Sequence, residues 1–232
     1  MKTCIITGAS RGIGKSLAIT LKNKGYNVVG TYVNSQEIAK EITSEYGIDF
    51  HKCDVANDGD VCNLFSYVQA RYGGVDLVIS NAGIALSQKP FFDVALSDIE
   101  KVINVNLVGT MLVNKCAINA MLPRGGTIVN VSSIFGVTGG SCEAVYSASK
   151  SGVIGFTKSI AQELEDSKIK VCALTLGLID TDMNSHLTES EKLEFVLECG
   201  LKSVPTAQDV ADGVCEILQS GIKNGEIYSL FH

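Results

Sequence analysis

Tryptophan is absent from this chain, proline occurs 3 times, and aromatic residues make up only 6%. That suits a tightly turned α/β architecture better than an interaction module anchored on indole rings. Positive charge is also in short supply: 19 Lys and Arg against 25 Asp and Glu leave a net charge of −6. Nucleic acid phosphates need a cationic face, so nucleic acid is excluded as a bulk partner. No apolar stretch approaches the ~20 residues that cross a bilayer as a helix. The opening Met1-Lys2-Thr3-Cys4-Ile5-Ile6 reaches Gly8 too soon for a secretory signal, and a cytoplasmic location is expected. The eight cysteines (Cys4, Cys53, Cys62, Cys116, Cys142, Cys172, Cys199 and Cys215) include no C-x-x-C pair and no histidine at ligand spacing. Neither a metal site nor a disulfide framework is expected, and most of these thiols read as small hydrophobes in a reducing compartment.

What is present is a chain able to bury a core. Apolar residues make up 46% and charged residues 19% of 232 residues, which excludes disorder. A chain this size buries roughly 70% of its extended surface on folding. No repeat, low-complexity segment or Pro/Gly/Ser-rich linker divides it, so residues 1–232 are expected to form one domain. Short β-branched runs alternate with amphipathic ones. Strands are expected at Cys4-Ile5-Ile6, Val28-Val29, near Phe50, at Val75–Ile79, Thr127–Val131 and Lys170–Leu174, and near Ile227-Tyr228. Helical patterns run through Leu17, Ala18 and Leu21, and over about 35–46, 58–72, 97–121, 144–164 and 208–219. Seven strands alternating with about six helices specify a doubly wound parallel sheet of Rossmann type, with helices on both faces. Ligands then belong beyond the carboxyl ends of the strands.

After the first strand the chain reads Thr7-Gly8-Ala9-Ser10-Arg11-Gly12-Ile13-Gly14. Three glycines between a strand and a helix allow a tight turn, close approach of backbone amides to a diphosphate, and close helix packing. The helix N-terminus supplies the positive dipole end. After the second strand, Gly30-Thr31-Tyr32-Val33-Asn34-Ser35 offers no carboxylate for a ribose 2′-hydroxyl, while Arg11 adds a cation. That favours NADP, although the residues alone leave open that Arg11 is a solvated loop charge. Asp54, after the third strand, is placed to accept from an adenine amino group or to act as a turn residue. Asn81-Ala82-Gly83 forms a small polar connection after the fourth strand.

Ser132-Ser133 ends the fifth strand, and Tyr146-Ser147-Ala148-Ser149-Lys150 opens the next helix. Tyr146 and Lys150, at i and i+4, share a helical face at the carboxyl edge of the sheet. Bringing a phenol from its usual value near 10 to ~7 takes about 4 kcal/mol. An ammonium ~4 Å away supplies energy of that order at an effective dielectric of ~20. Lys150 is therefore expected to acidify Tyr146.

These segments together, T-G-x-x-x-G-x-G, N-A-G, the serine and Y-x-x-x-K, resemble the short-chain dehydrogenase/reductase family over essentially the whole chain. The resemblance implies Tyr146 as catalytic acid/base, Lys150 as its pKa-lowering partner and holder of the nicotinamide ribose, and Ser133, ahead of Ser132, as the group that polarises the carbonyl. It implies that Asn106, with Asn104 as a surface decoy, holds a water in the proton relay. It places Thr181 against the nicotinamide carboxamide, and extends the nucleotide contacts to Ser10, Ile13, Val55, Gly177 and Ile179. Leu176-Gly177 departs from the family's Pro-Gly, which would loosen the nicotinamide loop. The chain ends at Phe231-His232, a departure that bears on the subunit contacts relatives often make with terminal residues.

Within the family the chain looks most like bacterial 3-oxoacyl-[acyl-carrier-protein] reductases, which are usually homotetramers. That likeness implies NADPH-dependent reduction of a carrier-bound ketone, with Arg124 and Lys168 as docking cations for the acidic carrier. The alternatives are reduction of a small free carbonyl compound and, ranked last, a non-catalytic nucleotide sensor. Residues 184–201 are expected to form a lid, its four glutamates (Glu189, Glu191, Glu194, Glu198) solvated and Leu193, Phe195 and Leu197 buried. Cys142 is expected to line the substrate cleft as an inert thiol.

Overall fold

The structure, a computed structural model, describes every residue of the chain except His186. Seven strands, β1 (Thr3–Ile6), β2 (Asn27–Tyr32), β3 (Asp49–Lys52), β4 (Leu77–Ser80), β5 (Gly126–Ser133), β6 (Ile169–Leu176) and β7 (Ile227–Leu230), form one sheet in the order β3-β2-β1-β4-β5-β6-β7. Every neighbouring pair is parallel. The strand order reverses between β1 and β4, the crevice where a doubly wound sheet accepts ligands. The expected fold class is therefore the one observed.

The pleat sorts the core. Successive side chains of a strand point to opposite faces. Cys4 and Ile6 of β1, Leu77 and Ile79 of β4, and Cys172 and Leu174 of β6 join one cluster, with Leu17 and Leu21 of helix α1 (Gly12–Asn23) and Val210 and Val214 of α9 (Ala207–Ser220). Their neighbours in the strands, Ile5, Val78 and Val171, point the other way and join the other. There they meet Leu64 and Val68 of α3 (Asp58–Tyr72), Val113 and Ala117 of α5 (Gly109–Met121), and Ile160 of α7 (Ala144–Glu163). Burial on both faces explains why these strands read as nearly unbroken apolar runs. Helix α2 (Gln36–Tyr46) flanks β2 and β3, contributing Ile42 to the first cluster.

Two elements differ from expectation. The apolar pattern predicts an uninterrupted helix over 97–121. Instead α4 (Leu96–Ile103) passes through a π-turn at Asn104–Val108 before continuing as α5. The extra residue rotates the helix beyond it, and Asn106 lies 1% exposed inside the turn while Asn104 stays on the surface. A short helix α6 (Phe135–Thr138) lies between β5 and α7. The glutamate-rich segment forms α8 (Glu189–Glu198), opened by a capping box in which Thr188 and Glu191 satisfy each other's backbone amides. Its expected buried side is wrong: Leu193 and Leu197 are 58% and 72% exposed, Phe195 is half-buried, and Val196 is buried. Positions 193, 195 and 197 share a side only at a strand's period of two. At the helical period, 193 and 197 share a face and 195 lies on the opposite side.

Ile128 of β5 is fully buried against the second cluster. Ile128→Ala should lower unfolding free energy by about 2–5 kcal/mol, whereas Leu197→Ser on α8 should change it by less than about 0.5 kcal/mol. Urea unfolding of the two variants measures both.

Candidate active site

The turn between β1 and α1 is built on glycine geometry. Gly8 and Gly12 have φ of +66° and +52°, the left-handed region that side chains disfavour. A Cβ on Gly14 would lie 2.3 Å from the Gly8 carbonyl oxygen and 2.7 Å from Asn81 Nδ2. Asn81 stitches the crevice closed at its base: Nδ2 donates to the Thr7 and Gly8 carbonyls at 2.9 and 3.2 Å, and the Asn81 and Ala82 amides donate to Thr7 Oγ1 at 3.0 and 2.9 Å. Gly8 N donates to Thr31 Oγ1 at 3.1 Å, which fixes the turn to β2. Helix α1 opens with Arg11 in the capping position, with no side-chain cap and no acidic residue in its first turn. Its leading amides and dipole therefore remain available to an anion.

The other expected nucleotide residues ring this turn. Ser10 is buried and Ile13 half-buried within it; Arg11 is exposed, and Tyr32 is half-buried at the end of β2. Asp54 Oδ1 accepts from the Ala56 amide at 3.0 Å, the turn role open to it from the start. Val55 packs where a Cβ on Gly109 would come within 2.7 Å of its Cγ2. Across the crevice, Thr181 lies 3.6 Å from the Cβ position of Gly12. The loop carrying Ile179 and Thr181 is held without the family's proline. Asn184 Nδ2 donates to the Ile179 carbonyl at 2.8 Å, and Asp180 N to the Pro205 carbonyl at 2.8 Å. Gly177 has no room for a side chain, since a Cβ there would meet the Phe231 carbonyl oxygen at 2.0 Å and Phe195 at 2.8 Å.

At the carboxyl end of β5 the two serines diverge. Ser132 Oγ donates to the Lys150 carbonyl at 2.9 Å and so pins α7 to the strand. Ser133 Oγ accepts from the Phe135 amide at 3.2 Å and hydrogen-bonds the Tyr146 hydroxyl. Lys150 is buried, with Nζ donating to the Val131 carbonyl at 2.9 Å and lying 5.7 Å from the centre of the Tyr146 ring. Asn106, carried inward by the π-turn, spans three elements. Oδ1 accepts from Ile84 N at 2.8 Å, while Nδ2 donates to the Ile84 carbonyl at 2.9 Å and to Ser149 Oγ at 3.0 Å. Ser149 Oγ in turn donates to the Tyr146 carbonyl at 2.7 Å. A Cβ on Gly83 would sit 3.4 Å from both Asn106 Oδ1 and Lys150 Nζ, so the N-A-G turn closes directly over this cluster.

The electrostatics correct one expectation. Tyr146 is pushed up to about 12, chiefly by burial; the Ser133 hydrogen bond opposes the rise and the charge of Glu143 adds to it. Lys150 is not among the groups that move the phenol. Its ammonium points at the Val131 carbonyl, and burial lowers its own value to about 8. In the protein by itself, then, the phenol keeps its proton at neutral pH rather than approaching 7. Glu143 was not foreseen. It is buried three residues before Tyr146 and lines the same hollow, together with Leu86, Lys89, Val94 and Cys142. A carboxylate at a helix start, one turn before the tyrosine, was the available signal. Cys142 is exposed there in a left-handed conformation, φ +59°.

Arg124 and Lys168 lie elsewhere. Both precede their strands, β5 and β6, at the amino edge of the sheet, whereas Ser133 and Tyr146 stand at the carboxyl edge. They are neighbours: the Gly126 amide donates to the Lys168 carbonyl at 3.2 Å. The Arg124 guanidinium donates to the Gly73 carbonyl, so it caps the C-terminus of α3. Lys168 is exposed.

An anion-receiving turn at the switch point, with a serine–tyrosine pair above a buried lysine at the next strand ends, is the arrangement of an oxidoreductase that works on a bound nicotinamide dinucleotide. The residues present fit that group, because the glycine turn leaves the leading amides of α1 without side-chain caps and Lys150 Nζ, held by the Val131 carbonyl, lies directly beneath Gly83. The chain belongs to the short chain dehydrogenase family, whose description matches residues 2–192. Among curated proteins it is 36% identical to rat 3-oxoacyl-[acyl-carrier-protein] reductase over 97% of this chain and 94% of that one. It is 35% identical, over the same shares, to the enzyme of that name from Aquifex aeolicus. Carbonyl reductase family member 4 of Xenopus laevis is 34% identical over 97% and 94%. Among the described residues no helix is long and apolar enough to cross a membrane.

Burying Lys150 has a measurable consequence. The folded chain releases this proton near pH 8 and the unfolded chain near 10.5. Stability is therefore depressed below about pH 8 and recovers as pH rises toward 10.5, by about 3 kcal/mol in all. Lys150→Met should remove the penalty, so its melting temperature at pH 7 should equal or exceed that of the unmodified protein while turnover is lost. Calorimetry at pH 7 and pH 10 checks the difference.

Proposed function

We propose that the protein is an NADPH-dependent reductase that converts a 3-oxoacyl thioester on acyl carrier protein to the 3-hydroxyacyl form, in the cytoplasm, as a homotetramer. The observation that carries the reading is the hydrogen-bonded Ser133–Tyr146 pair, its phenol still protonated, beside the charged Lys150. Reduction of a ketone needs a proton donor at the oxygen, and a protonated phenol is in the form required. When bound, the dinucleotide supplies hydride to the carbonyl carbon.

The protein's own residues do the rest. Ser133 and Tyr146 hydrogen-bond the carbonyl oxygen and stabilise the charge that develops on it, and Tyr146 gives up its proton as the alkoxide forms. Lys150, held by Val131, orients the ribose side of the site. Asn106 positions Tyr146 through Ser149, since its side chain is committed to Ile84 and Ser149. Gly8 to Gly14 receive the diphosphate. Arg11, with no carboxylate between Gly30 and Ser35, favours the 2′-phosphate of NADP. Asp54 and Val55 face adenine; Asn81, Ala82 and Gly83, with Gly177, Ile179 and Thr181, enclose the nicotinamide end. Residues 184–201 act as the lid within the single domain 1–232.

Carrier docking is assigned to Lys168 with Arg124. That patch is separated from the reacting centre by the eight residues of β5, about 25 Å. A second reading, reduction of a small free carbonyl compound, is favoured by the relative named carbonyl reductase family member 4.

Acetoacetyl-carrier thioester assayed against free ketones, with NADPH and NADH in parallel, separates the readings. Tyr146→Phe should lower turnover by about 10²-fold or more while nucleotide affinity holds. Lys168→Glu should raise KM for the carrier thioester alone. Free ketones turned over faster than the thioester, with Lys168→Glu silent, would transfer the assignment to the second reading.

A further inference from the structure

Helices α3 and α5 pack side by side on one face of the sheet, and two thiols meet between them. Cys62 Sγ and Cys116 Sγ are 4.0 Å apart, from positions 54 residues apart in sequence. Cys62 is exposed and Cys116 half-buried; both are free thiols. Four others (Cys4, Cys53, Cys172 and Cys215) are buried in the core. We propose that Cys62 and Cys116 form a site of reversible oxidation, closing to a disulfide that clamps α3 to α5 when a peroxide reaches Cys62.

The geometry sets the order of events. A disulfide needs its sulfurs at about 2.05 Å, so the two must approach by about 2 Å, a movement within reach of side-chain rotation. Cys62 meets solvent, and its thiolate attacks peroxide, taking one oxygen and releasing hydroxide to leave a sulfenic acid. The Cys116 sulfur then attacks the Cys62 sulfur, expels water and forms the S–S bond. In total two thiols and one hydrogen peroxide give one disulfide and two waters, the sulfurs losing the two electrons that the peroxide gains. Cys116 suits the second role. Burial, its contact with Cys62 and the charge of Asp58 push its thiol up to about 11, so it is the exposed Cys62, and not Cys116, that meets peroxide first.

The clamp lies behind the loop expected to face adenine. Helix α3 follows Asp54–Asn57, and the first residue of α5, Gly109, packs on Val55. Joining residues so distant in sequence restricts the unfolded chain, which raises the melting temperature of a protein of this size by about 5 °C or more.

The test uses the full-length reduced protein treated with a small excess of hydrogen peroxide and analysed by non-reducing mass spectrometry. The expected result is loss of two hydrogens per chain, a cross-linked peptide assigned by fragmentation to Cys62 rather than Cys53, the rise in melting temperature, and reversal of all three by dithiothreitol. Cys62→Ser should eliminate the cross-link and keep basal turnover. Cys62 gaining oxygens with no cross-link, the pair remaining reduced while Cys142 or Cys199 reacts, or the same cross-link in Cys62→Ser would each overturn the proposal.

Discussion

The structure turns on a lysine side chain buried where β5 meets α7. Its ammonium rests on one carbonyl, that of Val131, and burial holds its proton weakly. A charge placed there is unfavourable unless something around it is fixed, and several devices fix it. Ser132 bonds the lysine's own carbonyl, Gly83 packs close over the ammonium, and Asn106 holds the N-A-G loop and α7 in register. The doubly wound sheet serves this arrangement by ending β4, β5 and β6 at one edge, so that groups distant in sequence converge. Such local instability inside a well-packed core is the usual mark of a site kept for chemistry.

Tyr146 and Lys150 act as a pair through their different environments rather than by direct mutual titration. Burial raises the phenol and lowers the ammonium, which leaves a proton on one and a positive charge on the other near neutrality. Both are the forms that carbonyl reduction calls for. Glu143 reinforces the state by adding negative charge beside the phenol. The protonation states of this pair thus arise from desolvation first and from neighbouring charges second.

Much of this was legible in the sequence, for identifiable reasons. Ile5, Val78 and Val171 alternate with Cys4, Leu77 and Cys172 between two cores, and that burial on both faces produces the apolar runs that marked the strands. The glycine turn and the Tyr146–Lys150 spacing were legible because each rests on local geometry. What was hidden depends on tertiary contacts. The π-turn at Asn104–Val108 leaves the apolar pattern of a plain helix almost intact, yet it delivers Asn106 to the interior. The outward face of α8 was misjudged because a strand period was read into a helix. The value for Tyr146 depends on burial, which spacing along a helix does not report. The committed guanidinium of Arg124 likewise becomes visible only once Gly73 is seen beside it.

The central claim is that burial, not Lys150, governs Tyr146 in the protein by itself. Tyrosine labelled at Cζ with carbon-13, assigned by comparison with Tyr146→Phe and titrated by NMR, reads that group directly. The account predicts a phenol still protonated at pH 10, where an ordinary tyrosine is half-ionised. Half-ionisation near pH 7 would contradict it, and would restore the lysine as the group that acidifies the phenol.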